Sequence, residues 1–189
     1  MCSDVNMAKA VFLDRDGTIN IERDYLFRCQ DFEFISGVPE AIKKLNDAGF
    51  VVVVVTNQSG VARGYYSEAD VKLLHDFVEQ QLASQGAHVD GFYYCPHHPD
   101  KGNAPYRKLC RCRKGEPGML LDAARDLNID LTQSFIVGDK LADVEAGLAV
   151  ESTPVLVLTG HGEREKEKIP AAIQVCADLS AAVDVICGN

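Results

Sequence analysis

The sequence contains no tryptophan, no apolar stretch long enough to cross a bilayer, and no excess of basic residues. Its longest uninterrupted apolar run covers residues 50–55, against the ~20 residues that a membrane helix requires, so no membrane contact is expected. Residues 1–7 carry an acid and no apolar core, unlike a secretory leader, and the expected compartment is the cytoplasm. With 19 basic against 28 acidic side chains the formal charge is −9. That balance disfavours nucleic acid as a partner, because phosphate backbones reward a net basic surface. Seven cysteines, an odd number, are scattered at 2, 29, 95, 110, 112, 176 and 187, and a disulfide framework is not expected. No internal repeat, low-complexity tract or long heptad pattern is visible; a coiled-coil oligomer is not anticipated, and a monomer is expected.

What is present is ordinary globular composition and a regular alternation. The 189 residues, 47% apolar and 25% charged, suit one domain spanning 1–189 with a real core. Short β-rich runs at 10–13, 50–55, 91–94, 134–137 and 154–158 alternate with helical patterns. Residues 38–48 place apolar side chains at 38, 41, 42, 45 and 48, a helical period closed by Gly49 where a cap is expected. Ser67, followed by Glu68 and Asp70, reads as the N-cap of a helix whose inner stripe is Val71, Leu74, Phe77, Val78 and Leu82. Further helices are expected at 119–127 and 141–150, then helix, strand and helix at 163–168, 173–177 and 179–186.

Continuous β-branched runs suit strands buried on both faces, and the alternation implies right-handed crossovers in an open, doubly wound, mostly parallel α/β sheet. Ligands of such sheets bind beyond the carboxyl ends of the strands. Asp14 and Asp16, Thr56-Asn57-Gln58, and Asp139 with Lys140 and Asp143 are therefore expected to converge.

In Asp14-Arg15-Asp16-Gly17-Thr18 two carboxylates two residues apart can aim at one point while differing in environment, a division that suits a nucleophile and a general acid. The plainer reading is an Asx-turn ahead of Gly17. Asp139 and Asp143, four apart at a helix start, can face the same crevice, although Asp139 could serve equally as an N-cap. Together with Asp14 they concentrate negative charge, which calls for a hard cation such as Mg²⁺. Thr56, Asn57, Gln58 and Ser59 supply donors before Gly60, and Lys114 supplies a compact charge suited to a phosphoryl oxygen. Lys114 closes a basic cluster with Arg107, Lys108, Arg111 and Arg113, which reads either as a solvated loop or as a local anion site. The set is complete for phosphoryl transfer through an aspartyl phosphate.

Cys95-Pro96-His97 and Cys110-Arg111-Cys112, separated by 12 residues, provide four ligands for a tetrahedral ion. With every position filled by protein the expected Zn²⁺ site at 95–114 is structural. It clamps a loop with little to bury, and it places Arg113 and Lys114 directly after the last ligand. His98 is expected to be a surface residue or a support for the ligands. Free thiols in a flexible loop are the competing reading.

Taken in order and spacing, Asp14-Arg15-Asp16-Gly17-Thr18, Thr56-Asn57-Gln58-Ser59-Gly60, Lys114 and Gly138-Asp139-Lys140-Leu141-Ala142-Asp143 resemble the haloacid dehalogenase superfamily of phosphatases over roughly residues 10–160. The resemblance implies Asp14 as nucleophile and Asp16 as acid/base. It implies Mg²⁺ on Asp14, the main-chain carbonyl of Asp16 and Asp139, with Thr56 and Lys114 holding the transferring group. The cysteine–histidine loop and Val61-Ala62-Arg63-Gly64 narrow the resemblance to the D-glycero-D-manno-heptose 1,7-bisphosphate 7-phosphatases and their histidinol-phosphatase relatives, which have a zinc-bearing loop and no large cap domain. From that subfamily, Glu22, Arg23, Asp24 and Tyr25 are implied as substrate-binding, although the His-Gly expected before the tyrosine is missing. Gly115 stands where the subfamily has proline, which should loosen the loop slightly.

The expected activity is thus removal of the 7-phosphate from heptose bisphosphate, in making activated heptose for lipopolysaccharide, with Arg113 and Lys140 facing the distal phosphate. Histidinol phosphate is the second substrate to consider. A phospho-aspartate receiver is a different class; it would have no use for Asp16, which speeds hydrolysis of the stored phosphoryl group. A zinc-stabilised binding protein without turnover would not need both Asp14 and Asp16. Separation of the Asp14 and Asp139 carboxylates by more than ~10 Å would defeat the whole reading.

Overall fold

Five consecutive valines, β-branched and stiff at χ1, open the second strand of a sheet that runs through the molecule. The computed structural model describes residues 7–188; residues 1–6, which include Cys2 and most of the segment compared with a secretory leader, and residue 189 lie outside the described residues. The strands are β1 (Ala10–Leu13), β2 (Val51–Asn57), β3 (Gly91–Cys95), β4 (Phe135–Gly138), β5 (Thr153–Val157) and β6 (Gln174–Cys176). They lie in the order β3-β2-β1-β4-β5-β6, and every neighbouring pair is parallel. The helices are α1 (Val38–Asp47), α2 (Glu68–Ala83), α3 (Gly118–Leu127), α4 (Leu141–Leu148), α5 (Gly162–Glu165) and α6 (Leu179–Ile186).

Period-two alternation divides the strands between two cores. Val11, Leu13, Val52, Val54 and Val137 face Ile42 and Leu45 of α1, Val78 and Leu82 of α2, and Leu179 and Val183 of α6. Ala10, Phe12, Val53, Val55 and Ile136 face Met119, Leu120 and Ala123 of α3 and Ala146 of α4. Ser67 caps α2 as expected: its hydroxyl accepts from the Asp70 amide at 3.2 Å, and the Asp70 carboxylate accepts from the Ser67 amide at 2.7 Å.

The sheet places the site. From β1 the chain steps outward through β2 and β3, then returns to the other flank of β1 and steps outward through β4, β5 and β6. At such a reversal the loops leaving the two central strands diverge and open a crevice. Here those loops begin with Asp14 and Asp139.

Most boundaries agree with the sequence pattern, and the differences have physical causes. Strand β2 continues to Asn57 because Thr56 and Asn57 still pair with Tyr94 and Cys95 of β3. Strand β4 likewise gains Gly138, paired with Leu156. The helix expected at 163–168 is only one turn of α-helix followed by a 3₁₀ turn at Lys166–Lys168. Residues 174–176 close the sheet edge. Among the described residues no helix is long and apolar enough to cross a membrane.

Candidate active site

Asp14 follows β1 directly and is 3% exposed. One of its carboxylate oxygens accepts from the Arg15 amide at 2.7 Å and lies 2.5 Å from the Lys114 ammonium. Asp139 follows β4 and is fully buried; its Oδ2 accepts from the His161 amide at 2.7 Å, while its Oδ1 has no hydrogen-bond partner. Asp143, one turn into α4, reaches back to accept from the Lys140 amide at 3.1 Å, so it and not Asp139 caps that helix. Its Oδ1 is 2.8 Å from Lys114. Oxygens of Asp14, Asp139 and Asp143 all lie within 4.8 Å of one another, well inside the limit set by the sequence reading.

Three buried carboxylates resist ionising together, and neighbouring cations decide which does. Burial opposes the charge on Asp14, but Lys114, Lys140 and the Arg15 amide outweigh it and hold its pKa below the ordinary value. Burial and the Asp14 charge push Asp139 up to about 7 against the pull of Lys140, and burial raises Asp143 despite Lys114. Lys114 stays a cation: burial disfavours its charge, and Asp14 and Asp143 more than restore it. A hard cation with oxygen ligands fits this trio, because Asp139 Oδ1 is buried without a hydrogen bond and the Lys140 ammonium 3.4 Å from it is shared with Glu22. Gly17 permits the approach; a Cβ there would collide with Asp139 Oδ2.

The Asp16 carboxylate lies outside the trio. It accepts from Arg15 at 3.0–3.3 Å, from Asn20 at 3.1 Å and from Gln58 at 2.9 Å, and it is not among the carboxylates that gather with Asp14 and Asp139. Gln58 also donates to Thr56 Oγ1 at 2.8 Å and accepts from Tyr66 at 2.6 Å. A floor cavity of about 40 Å³ is bounded by Asp14, Asp16, Thr56, Asn57, Lys114, Lys140 and Asp143. Sharing Asp16, Asn57 and Lys140 with it, a cleft of about 260 Å³ is lined also by Glu22, Asp24, Tyr25, Ser59, Arg113 and His161. Arg23 does not join them. With Glu22 and Asp24 facing the cleft it faces outward, paired with Glu33 at 2.9 Å. Lys140 bridges Asp139 at 3.4 Å and Glu22 at 3.3 Å.

Cys95, His97, Cys110 and Cys112 bring three Sγ atoms and one ring nitrogen together. The sulfurs are 3.4–3.5 Å apart, and His97 Nδ1 is 3.3 Å from Cys112. Tetrahedral ligands ~2.3 Å from one zinc ion would be about 3.7 Å apart, so the donor set fits zinc. His98 stands aside and accepts from the Asp100 and Lys101 amides at 3.1 and 3.0 Å. The loop is not held by these four residues alone, which the sequence did not reveal: Tyr106 and Tyr94 both donate to Glu68 of α2, at 2.7 and 2.6 Å. Nor does Gly115 loosen it. At φ +98° its amide donates to the Ala142 carbonyl at 3.0 Å, a conformation and a hydrogen bond that proline could not provide.

Sequence reasoning also missed His161, Tyr66 and the buried pair Arg15 and His75. His161 lies just beyond β5, so the strand-end rule that found Asp14 would have found it. Nothing in a helical stripe distinguishes His75 from an apolar core position.

The comparisons with known proteins agree with this geometry. A family model described as HAD-hydrolase-like matches residues 111–182. The chain is 50% identical over 177 residues to a D-glycero-beta-D-manno-heptose-1,7-bisphosphate 7-phosphatase of Photorhabdus laumondii, covering 92% of this chain and 94% of that one. It is 49% identical over 152 residues to the protein of that name from Escherichia coli K12, covering 80% of each. The crystal structure of the D,D-heptose 1,7-bisphosphate phosphatase of B. bronchiseptica, complexed with magnesium and phosphate, superposes with a TM-score of 0.84 at 37% identity, over 94% of this chain and 97% of that one.

Burial, Arg15 and Lys72 lower the His75 pKa to about 3, so the folded protein keeps the ring neutral while the unfolded chain protonates it below ~6.5. Stability from this group is complete above pH 6.5 and is lost as pH falls, by up to ~1.4 kcal/mol per pH unit. Urea unfolding at pH 7 and pH 5 checks it: His75→Gln should show a smaller drop in stability than the parent, and equal drops would refute it.

Proposed function

The chain belongs to the haloacid dehalogenase-like hydrolases, in the family of the D-glycero-D-manno-heptose 1,7-bisphosphate 7-phosphatases, and from that premise we propose that it releases the 7-phosphate of D-glycero-β-D-manno-heptose 1,7-bisphosphate through a phosphorylated Asp14. The observation that carries the reading is the pairing of an Asp14 held ionised by Lys114 with a buried Asp139 oxygen that accepts no hydrogen bond, at the mouth of one cleft. An ionised carboxylate is a competent nucleophile toward phosphorus. The Asp139 Oδ1 atom, buried without a hydrogen bond and near a lysine that Glu22 shares, marks where a cation belongs.

In this mechanism an Asp14 oxygen attacks the phosphorus in line and the bond from phosphorus to the sugar oxygen breaks. Asp16 delivers a proton to that oxygen as the alcohol leaves. It then takes a proton from the water that attacks the phosphoryl group, and Asp14 is regenerated. Thr56 and Lys114 hold the oxygens of the transferring group, with Asn57 fixing the Lys114 amide at 3.0 Å. Mg²⁺, which Asp14, Asp139 and the Asp16 carbonyl would hold, neutralises charge on those oxygens when bound. Arg113 and Lys140 face the distal phosphate, and Glu22, Asp24, Tyr25, Gln58 and Ser59 supply partners for sugar hydroxyls. Cys95, His97, Cys110 and Cys112 would hold a structural Zn²⁺ whose task is to fix Arg113 and Lys114. A soluble phosphorylated sugar as substrate fits a cytoplasmic site of action.

Phosphate release decides the substrate. With Mg²⁺ present, kcat/KM should be higher on heptose 1,7-bisphosphate than on histidinol phosphate, and chelation should abolish both; an equal or reversed preference would overturn the assignment. Asp14→Asn is expected to lose at least ~10³-fold in kcat with circular dichroism and zinc content unchanged, and near-normal turnover would end the covalent mechanism. Cys110→Ser should reduce bound zinc well below the expected level of about one per chain, measured by elemental analysis, and should slow turnover because Lys114 loses its anchor. Undiminished zinc would remove Cys110 from the ligand set.

A further inference from the structure

Arg15, between the two aspartates of the first motif, takes no part in the mechanism above, yet it is the largest of the fully buried side chains among the described residues. Its guanidinium forks onto Asp16: Nη2 donates to Oδ1 at 3.1 Å and to Oδ2 at 3.0 Å, and Nε donates to Oδ1 at 3.3 Å. The same Nη2 donates to the Leu26 carbonyl at 3.1 Å, just past the cleft residues Asp24 and Tyr25. On its other side Nη1 lies 3.2 Å from His75 Nε2 on α2. His75 is itself 5% exposed, stacked on Phe92 of β3 with ring centroids 4.7 Å apart and set edge-on to Tyr94 at 5.9 Å. The arginine can only donate, so the imidazole accepts at Nε2 and carries its proton on Nδ1.

A buried guanidinium needs its donors satisfied, and partners on three segments of chain fix its plane. The fork is rigid. Fixing that plane therefore fixes the carboxyl group it grips. Proton transfer requires the donor within about 2.6–3.2 Å of the leaving oxygen, a tolerance smaller than the displacement a rotamer change would cause.

We propose that His75 is a positioning residue: acting through Arg15, it sets the orientation of the Asp16 carboxyl group toward the leaving oxygen. This rests on the reading of Asp16 as the proton donor. The chemistry supplies a readout that a merely structural role would not move. A sugar alkoxide must receive a proton as its bond to phosphorus breaks, whereas p-nitrophenolate leaves without one.

The experiment compares heptose 1,7-bisphosphate with p-nitrophenyl phosphate in the Mg²⁺-loaded full chain, using pre-steady-state release of p-nitrophenol for the first turnover. His75→Leu should lower kcat on the sugar about tenfold or more while the first p-nitrophenol turnover stays within about twofold of the parent. His75→Gln, whose amide oxygen still accepts from Arg15, should recover most of the loss. Arg15→Lys keeps the charge and abolishes the fork; it should reproduce the split and serves as the test if His75→Leu does not fold. Asp16→Asn sets the full size of the split. Equal losses on both substrates, or no loss on either, in variants of an enzyme active on the sugar overturn the positioning role alone. A parent that turns over no phosphorylated sugar, or an Asp16→Asn variant without a split, overturns the reading of the site and this inference with it.

Discussion

An unbalanced charge governs the mouth of this sheet. Asp14, Asp139 and Asp143 are buried within 4.8 Å of one another, and among the described residues Lys114 and Lys140 are the cations paired with them. When all three acids are ionised one negative charge is left over, in a place where desolvation makes it expensive. Its effect appears on Asp139, whose pKa rises to about 7 through burial and the charge of Asp14. A divalent cation relieves the repulsion and lets every carboxylate ionise. The sheet order supplies the reason that the acids meet at all, since β1 and β4 are neighbours from which the chain departs in opposite directions.

Lys114 joins this acidic floor to the cysteine–histidine cluster. Its ammonium sits between Asp14 and Asp143, its amide donates to Asn57 at the end of β2, and Cys112 lies two residues before it. The next amide, of Gly115, is tied to α4. A short segment is thus pinned to the sheet, to a helix and to the proposed zinc site. Pinning offsets the rotamer entropy that a long side chain loses when it is held at a single point. The Glu68 contacts to Tyr94 and Tyr106 extend the same fastening to α2.

The molecule carries a formal charge of −9, and acids line much of its cleft. On the proposed function, an anionic substrate depends on a few local cations, Arg113, Lys114 and Lys140, rather than on the field of the whole protein. Pairing with Glu22 and Asp139 keeps Lys140 charged and oriented, and pairing with Asp14 and Asp143 does the same for Lys114. The acids whose charge opposes anion binding are the ones that hold these cations in place.

Strand positions, most helices, the parallel sheet and the convergence of Asp14, Thr56 and Asp139 were legible in the sequence by itself, because they follow from local periodicity and from the rule that strand ends share a crevice. The four cysteine and histidine positions were legible for a similar reason, since their spacing along the chain already limits what they can hold. Other features depended on contacts between segments far apart in the chain. That Arg23 turns outward while its neighbours line the cleft, that Gly115 is anchored rather than loose, and that His75 braces Arg15 across 60 residues are decided by packing, and no local pattern encodes them. The tertiary structure alone settled which carboxylates are buried together and which lysine faces each, because desolvation and Coulomb attraction act on distances that appear only once the chain has folded.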